Sequence, residues 1–231
     1  MKYSYVREFL DLDYYNENYN NVRSQLHEKI VDKHFNKTTI KTDKLKIIFN
    51  SGAYGCGKSH ILKLLQENNK INLNEYIFVN PDNLRDELPE YKELIKSDPW
   101  NAGKNTNKEV FYIGELIRYH AMLNGYNVIY DSSLKDKTWF LEHIKWLRER
   151  FPKAIIKIIH VKANWINVLE RNLLRAEETK RCIPLRFIKE AYAMSIKSNE
   201  ILKNYVDENI IIENDNDENT TKFVNNNIKN I

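Results

Sequence analysis

Gly52-Ala53-Tyr54-Gly55-Cys56-Gly57-Lys58-Ser59 fits the pattern G-x-x-x-x-G-K-[ST]. Before it stands an apolar run, Leu45-Lys46-Ile47-Ile48-Phe49, and after it comes Ile61-Leu62-Lys63-Leu64-Leu65. The first reads as a buried strand and the second as the opening turns of a helix, the setting this motif requires. Glycines let the backbone curl until successive N–H groups point inward at phosphate oxygens. The helix start adds partial positive charge on the same side. Lys58 is spaced to reach the β- and γ-phosphates, and the Ser59 hydroxyl to ligate Mg²⁺. Three of the chain's 6 glycines fall in this loop, so the clustering belongs to the site and not to a glycine-rich chain. Residues Gly52, Ala53, Tyr54, Gly55, Cys56, Gly57, Lys58 and Ser59, with His60 next in line, are the candidate nucleotide-binding set. ATP and Mg²⁺ are the expected ligands.

A chain of 231 residues with 42% hydrophobic and 29% charged side chains has the composition of a soluble globular protein with one sizeable core. Its net charge of +4 is spread along the chain, without the basic block that marks a nucleic-acid partner. The start, Met1-Lys2-Tyr3-Ser4-Tyr5, lacks an apolar core and a small-residue cleavage site, so neither a signal peptide nor a membrane span is expected. The two cysteines, Cys56 and Cys182, read as reduced thiols, because a disulfide at Cys56 would obstruct the phosphate loop. A cytoplasmic, reducing location is the corresponding expectation.

Working outward from the loop, apolar strands alternate with helical stretches. Strands are expected at 75–79, 127–130, 154–161 and 208–212, in addition to 45–49. Helical spacing is expected after Pro81, with a break at Pro89 between two short helices, then a surface loop over 97–106 and a long helix over 106–124. Further helices are expected over 137–150, from Asn164, and from Pro184 as a first-turn residue to about Tyr205. Ahead of the core, Val22, Leu26, Ile30 and Phe35 mark an amphipathic helix over 18–35, followed by a polar connection over 36–44. The fold class is α/β: a P-loop NTPase with about five parallel strands, helices on both faces, an extra N-terminal helix and a lid between late helices. Residues 1–44 form the N-terminal extension, 45–213 the nucleotide-binding domain, and 214–231 a polar tail with one frayed helix near 223–228.

Ligands of such sheets bind at the carboxyl ends of the strands. Asn80-Pro81-Asp82-Asn83-Leu84-Arg85 follows the second strand. Asp82 is placed there to accept a hydroxyl proton as that oxygen attacks the γ-phosphate, or to cap a helix. Arg85, one turn on, is a candidate grip for an anionic substrate group. Asp131-Ser132-Ser133 follows the third strand. Asp131 is a candidate for orienting Mg²⁺ and Ser133 for bonding substrate hydroxyls. Arg171, Arg175 and Arg181 lie in a charged stretch between two helices, where lid cations over a triphosphate are expected. The alternative for Arg171 and Arg175, at i, i+4, is a set of helix ion pairs.

These stretches together resemble the zeta toxin family of P-loop kinases, over roughly Leu45 to Ile212. The resemblance rests on the phosphate loop, on Val79-Asn80-Pro81-Asp82-Asn83-Leu84-Arg85 with Pro89-Glu90-Tyr91, and on Asn127 through Leu134. It implies an ATP- and Mg²⁺-dependent kinase acting on a hydroxyl of a small molecule, such as the sugar of UDP-N-acetylglucosamine. It implies Asp82 as general base, Lys58 and Ser59 at the phosphates and metal, Arg171 and Arg181 as lid cations, and Asp131 and Ser133 at the substrate and metal side. Where the family usually reads Glu-Gly-Thr-Leu, this chain reads Asp131-Ser132-Ser133-Leu134, and its lid stretch is shorter. Toxicity and an antitoxin partner do not carry over. The alternatives are a polynucleotide or nucleoside kinase, and a nucleotide-switched ATPase or GTPase without an acceptor. The switch reading lacks Asp-x-x-Gly and Asn-Lys-x-Asp in place.

Overall fold

The computed structural model describes residues 2–15, 19–35 and 41–231. Asn18, where the first helix is expected to begin, and residues 36–40 of the expected polar connection lie outside the described residues. The elements run α1 (Leu12–Tyr15), α2 (Asn21–Phe35), β1 (Lys46–Ser51), α3 (Lys58–Glu67), β2 (Tyr76–Val79), α4 (Pro81–Arg85), α5 (Tyr91–Ser97), α6 (Ala102–Leu123), β3 (Asn127–Ser132), α7 (Lys137–Arg150), β4 (Ile155–Lys162), α8 (Trp165–Thr179), α9 (Leu185–Leu202), β5 (Glu208–Glu213) and α10 (Asp217–Asn227).

The five strands are all parallel, in the order β2-β3-β1-β4-β5. A parallel sheet needs cover on both faces, and the alternation along each strand supplies it. Ile47 and Phe49 of β1, Val128 and Tyr130 of β3, and Ile156 and Ile158 of β4 enter one core with α4, α6 and α7. Ile48, Ile129, Ile159 and Val161 enter the other with α3, α8 and α10. The helix after β1, α3, packs on one face of the sheet and the helix after β3, α7, on the other, so the loops after these neighbouring strands part and open a crevice. The phosphate loop follows β1 directly.

Five details depart from the sequence expectations. β1 runs on to Ser51, because Asn50 and Ser51 are polar yet wholly buried at the strand end. The segment expected as a loop over 97–106 already turns helical at Ala102, where buried Ala102 and Thr106 face the core and Gly103 stands in open space. Helix α8 extends to Thr179, so Arg171 and Arg175 lie on a helix and only the link from Lys180 to Pro184 lies between α8 and α9. Pro184 is the N-cap of α9 instead of its first helical residue. The tail carries a full helix, capped by Asn216, whose Val224, together with Ile228 and Ile231 beyond it, enters the second core.

Helix α2 packs through Leu26, Ile30 and Phe35 of the expected stripe but not through Val22. Val22 is 77% exposed, while Ser24, His27, Ile30 and Val31 are buried. The cause is a charge network reaching across to α6. His27 Nε2 lies 2.6 Å from Glu109 Oε1, and Arg23 binds both Glu109 and Glu90. Burial pushes the Glu109 carboxyl up, but His27 and Arg23 outweigh it and hold the group at about 2. A carboxylate depressed from its ordinary 4.5 stabilises the fold fully above about 4.5, and that contribution fades as pH falls toward about 2. Glu109→Gln is therefore expected to cost about 1–2 kcal/mol at pH 7. In denaturant titrations the gap from the parent protein is expected to narrow below about pH 4.5.

Candidate active site

Loop Gly52 to Gly57 is tied down from outside. Asn172 of α8 donates from Nδ2 to the Tyr54 carbonyl at 2.8 Å, and Asn214, just past β5, donates to the Cys56 carbonyl at 2.9 Å. Arg171 Nη1 reaches the same Cys56 carbonyl at 3.4 Å. With these carbonyls taken up on the outer side, amide N–H is what the curled loop has left to offer an anion. The fastening leaves no room for side chains. A Cβ on Gly57, where φ is +93°, would stand 2.0 Å from Asn214 Nδ2, and one on Gly55 would stand 2.5 Å from Asn172 Nδ2. Gly57 is also the left-handed N-cap from which α3 springs, and the first turn of α3 has no intrahelical acceptors for its N–H groups.

Lys58 folds back over the loop, its Nζ 3.1 Å from the Gly52 carbonyl and 3.4 Å from that of Ala53. Burial pulls its ammonium down, but the fields of Asp131 and Asp82 help raise it, so the charge is secure. Asp131 lies at the end of β3, in register with Asn50 of β1, whose Nδ2 donates to Oδ1 at 2.6 Å. Burial lifts the Asp131 carboxyl to about 6, against the pull of Lys58. Burial likewise raises the Cys56 thiol, leaving it protonated and inert beneath the loop.

Asp82 is the charge centre of the crevice. Asn80 caps α4 by accepting from the Asp82 N–H at 2.8 Å, so Asp82 itself is free of the capping task and its carboxylate turns to guanidinium groups. Arg181 meets it with both terminal nitrogens, Nη2 donating to Oδ1 and Nη1 in ion-pair contact with Oδ2, each at 2.7 Å. Arg85 bonds the same carboxylate from one turn along α4, and Arg175 stands 3.6 Å away on α8. Burial raises Asp82, but Arg181, Arg85 and Arg175 prevail and hold it far below the usual carboxylate range.

Of the candidates read from sequence, Asp82, Arg85, Arg175 and Arg181 meet in one cluster, with Lys58 and Asp131 within its field. Arg171 lies apart from Asp82, against the phosphate loop. Ser59 and His60 are exposed in the first turn of α3, and the His60 ring nitrogen lies 3.7 Å from Asp217. Ser133 is half-buried just after β3. Arg85 stands differently from expectation: it is buried behind Asp82, with Thr106 and Asn107 as further partners, and is not presented as a substrate grip. Asn50, Asn172, Asn214, Thr106 and Asn107 were not singled out from sequence. Only Asn214 carries a usable signal, as the residue directly after the last strand.

A parallel β2-β3-β1-β4-β5 sheet with a phosphate loop after its central strand defines a P-loop kinase-like protein. The sequence profile of the zeta toxin family matches residues 30–229, and the chain belongs to that family. In fold it is similar to a chain of the PezAT chromosomal toxin–antitoxin system of the human pathogen Streptococcus pneumoniae, with TM-score 0.66 and 15% identity over 85% of this chain and 78% of that one. It is also similar to the AvrRxo1-ORF1:ORF2 assembly solved with ATP, with TM-score 0.53 and 16% identity over 80% of this chain and 59% of that one. A protein of Chloroflexus aurantiacus described as a candidate kinase gives TM-score 0.50 and 13% identity over 79% and 96% of the two chains. A search of curated protein sequences gives no match. No helix among the described residues is long and apolar enough to cross a membrane.

The loop packing makes a double-variant prediction. Gly57→Ala is expected to abolish ATP binding and to destabilise by about 2 kcal/mol or more, through left-handed strain and the Asn214 clash. Asn214→Ala alone should cost about 1 kcal/mol. Combined, the two should cost less than their sum in denaturant titrations, because removing the amide makes room for the methyl.

Proposed function

We propose that this protein transfers the γ-phosphate of ATP to a hydroxyl of a small molecule. The observation that carries the reading is the arginine-bound Asp82 carboxylate at the end of β2, on the same sheet edge as the phosphate loop. A carboxylate so placed can take the acceptor proton while the acceptor oxygen bonds the γ-phosphorus. The bond from that phosphorus to the bridging oxygen breaks, and its electron pair leaves on ADP. Lys58 and the loop amides hold the β- and γ-phosphates. Arg171, Arg175 and Arg181 supply positive charge where it grows on the transferring group.

For Mg²⁺, the residues present fit an ion held mostly by the substrate. Among the described residues, no group of three or more His, Cys, Asp or Glu side chains could hold a metal. Ser59 and Asp131 supply two hard oxygen donors beside the loop, as suits an ion that keeps several waters and takes the rest of its shell from phosphates. Bound there, the ion would neutralise phosphate charge. Family membership and the polar Asp131–Ser132–Ser133 edge support a small hydroxyl-bearing acceptor, with a nucleotide sugar such as UDP-N-acetylglucosamine as the leading candidate.

Asp82→Asn is expected to bind ATP no more weakly than the parent and to lower turnover by a factor on the order of 10² or more. Lys58→Ala should weaken both. The direct experiment offers ATP with a panel of acceptors, including UDP-N-acetylglucosamine and a 5′-hydroxyl oligonucleotide, and looks for an 80 Da gain, about one phosphoryl group, by mass spectrometry. Transfer to none of the small molecules, with ATP bound, would sink the proposal, and transfer to the oligonucleotide alone would replace it.

A further inference from the structure

Three guanidinium groups share one carboxylate, but they are not equally free to leave. Arg85 has a side chain only 5% exposed, and α6 holds it from behind. Its Nε donates to Thr106 Oγ1 at 3.2 Å, one terminal nitrogen to Asn107 Oδ1, and the other to Asp82 and, at 3.5 Å, to the Pro81 carbonyl. Withdrawing it would strand several buried polar groups at once. Arg181 is 11% exposed but, among the described residues, has the Asp82 carboxylate alone as an ion-pair partner, and it rides on the short link after Lys180, whose left-handed φ of 58° ends α8. Arg175 is 44% exposed and only loosely paired at 3.6 Å.

A carboxylate held by three cations is a poor proton acceptor, which conflicts with the role proposed above. A triphosphate carries more negative charge than one carboxylate and would draw off whichever cations can move. We infer that Arg175 and Arg181 are exchangeable counter-ions that leave Asp82 for the phosphates of the nucleotide, and that Arg85 is a positioning residue that stays to aim Asp82 at the acceptor. This rests on the reading of Asp82 as the base. The nucleotide must then be in place before Asp82 can take the acceptor proton, because its arrival is what makes Asp82 basic. The other groups in the field of Asp82 are Lys58 of α3, Asp131 of β3 and Tyr91 of α5, and none of them leaves with the lid arginines.

The test needs no acceptor, so it stands or falls separately from phosphate transfer. ATP affinity is measured by calorimetry, and the Asp82 carboxyl is titrated by ¹³C NMR with and without a non-hydrolysable ATP analogue, its signal assigned by its loss in Asp82→Asn. Asp82→Asn is expected to bind ATP about threefold or more tighter, since the carboxylate no longer competes for two arginines. The Asp82 titration midpoint is expected to rise by about one pH unit or more when the analogue binds. In Arg85→Gln the midpoint of the analogue-bound protein should rise further, with ATP affinity within about twofold of the parent. Should Arg85→Gln fail to fold, Asn107→Ala loosens the guanidinium without removing its charge, and a smaller upward move is expected. Unchanged or weaker ATP binding in Asp82→Asn would overturn the exchange. A midpoint that ignores both Arg85→Gln and Asn107→Ala would overturn the positioning role.

Discussion

The phosphate loop is held in shape by side chains that bind its outer carbonyls, and the rest of the site depends on that hold. An isolated glycine-rich turn is conformationally loose, and ordering it costs backbone entropy. Here Asn172 and Asn214 spend their amides on the Tyr54 and Cys56 carbonyls, and Arg171 adds a third contact. The anchors come from α8 and from the turn after β5, on the far side of β1 from Asp82. The loop therefore keeps its curl only when β4, β5 and their following segments are in place. That explains why the polar segment from Asn214 onward is fixed to the core by Val224, Ile228 and Ile231.

Charge is the second constraint. Lys58, Arg85, Arg171, Arg175 and Arg181 converge on a crevice whose carboxylates are Asp82 and Asp131. The surplus is cationic, and a surplus of buried like charge is costly unless a polyanion balances it. The protein limits that cost by pairing Arg85, Arg175 and Arg181 with Asp82. The same carboxylates that stabilise the crevice are the ones best placed to act on an acceptor and to hold a hard cation.

The fold was legible because both faces of the sheet are buried, so each strand announces itself as an apolar run between glycine, proline and polar signals. The phosphate loop was legible because its chemistry fixes spacing as well as residue type. What could not be read were the contacts that depend on side chains meeting carbonyls, as with Asn172 and Asn214, since an asparagine's partner is set by tertiary position. Val22 was misread for a related reason: beside Leu26, Ile30 and Phe35, the inward face of α2 takes in His27, a polar residue made tolerable by Glu109, where apolar spacing points to Val22. Arg85 was read as a substrate grip from its place one turn after Asp82, because nothing in the spacing shows that Thr106 and Asn107 project from α6 to hold it.

That last contact joins two parts of the molecule that sequence spacing keeps far apart. Thr106, Asn107 and Glu109 lie within the first two turns of α6. The first two hold Arg85, and through it Asp82, while Glu109 is held by Arg23 and His27 of α2. A helix start is where fraying concentrates, so α6 would be a poor anchor for a buried arginine if nothing steadied it. The α2 charge network does that, from a segment that begins ahead of residues 30–229, where the family profile matches. On the proposed positioning role of Arg85, the N-terminal helix supports the aim of the carboxylate at the end of β2 through α6.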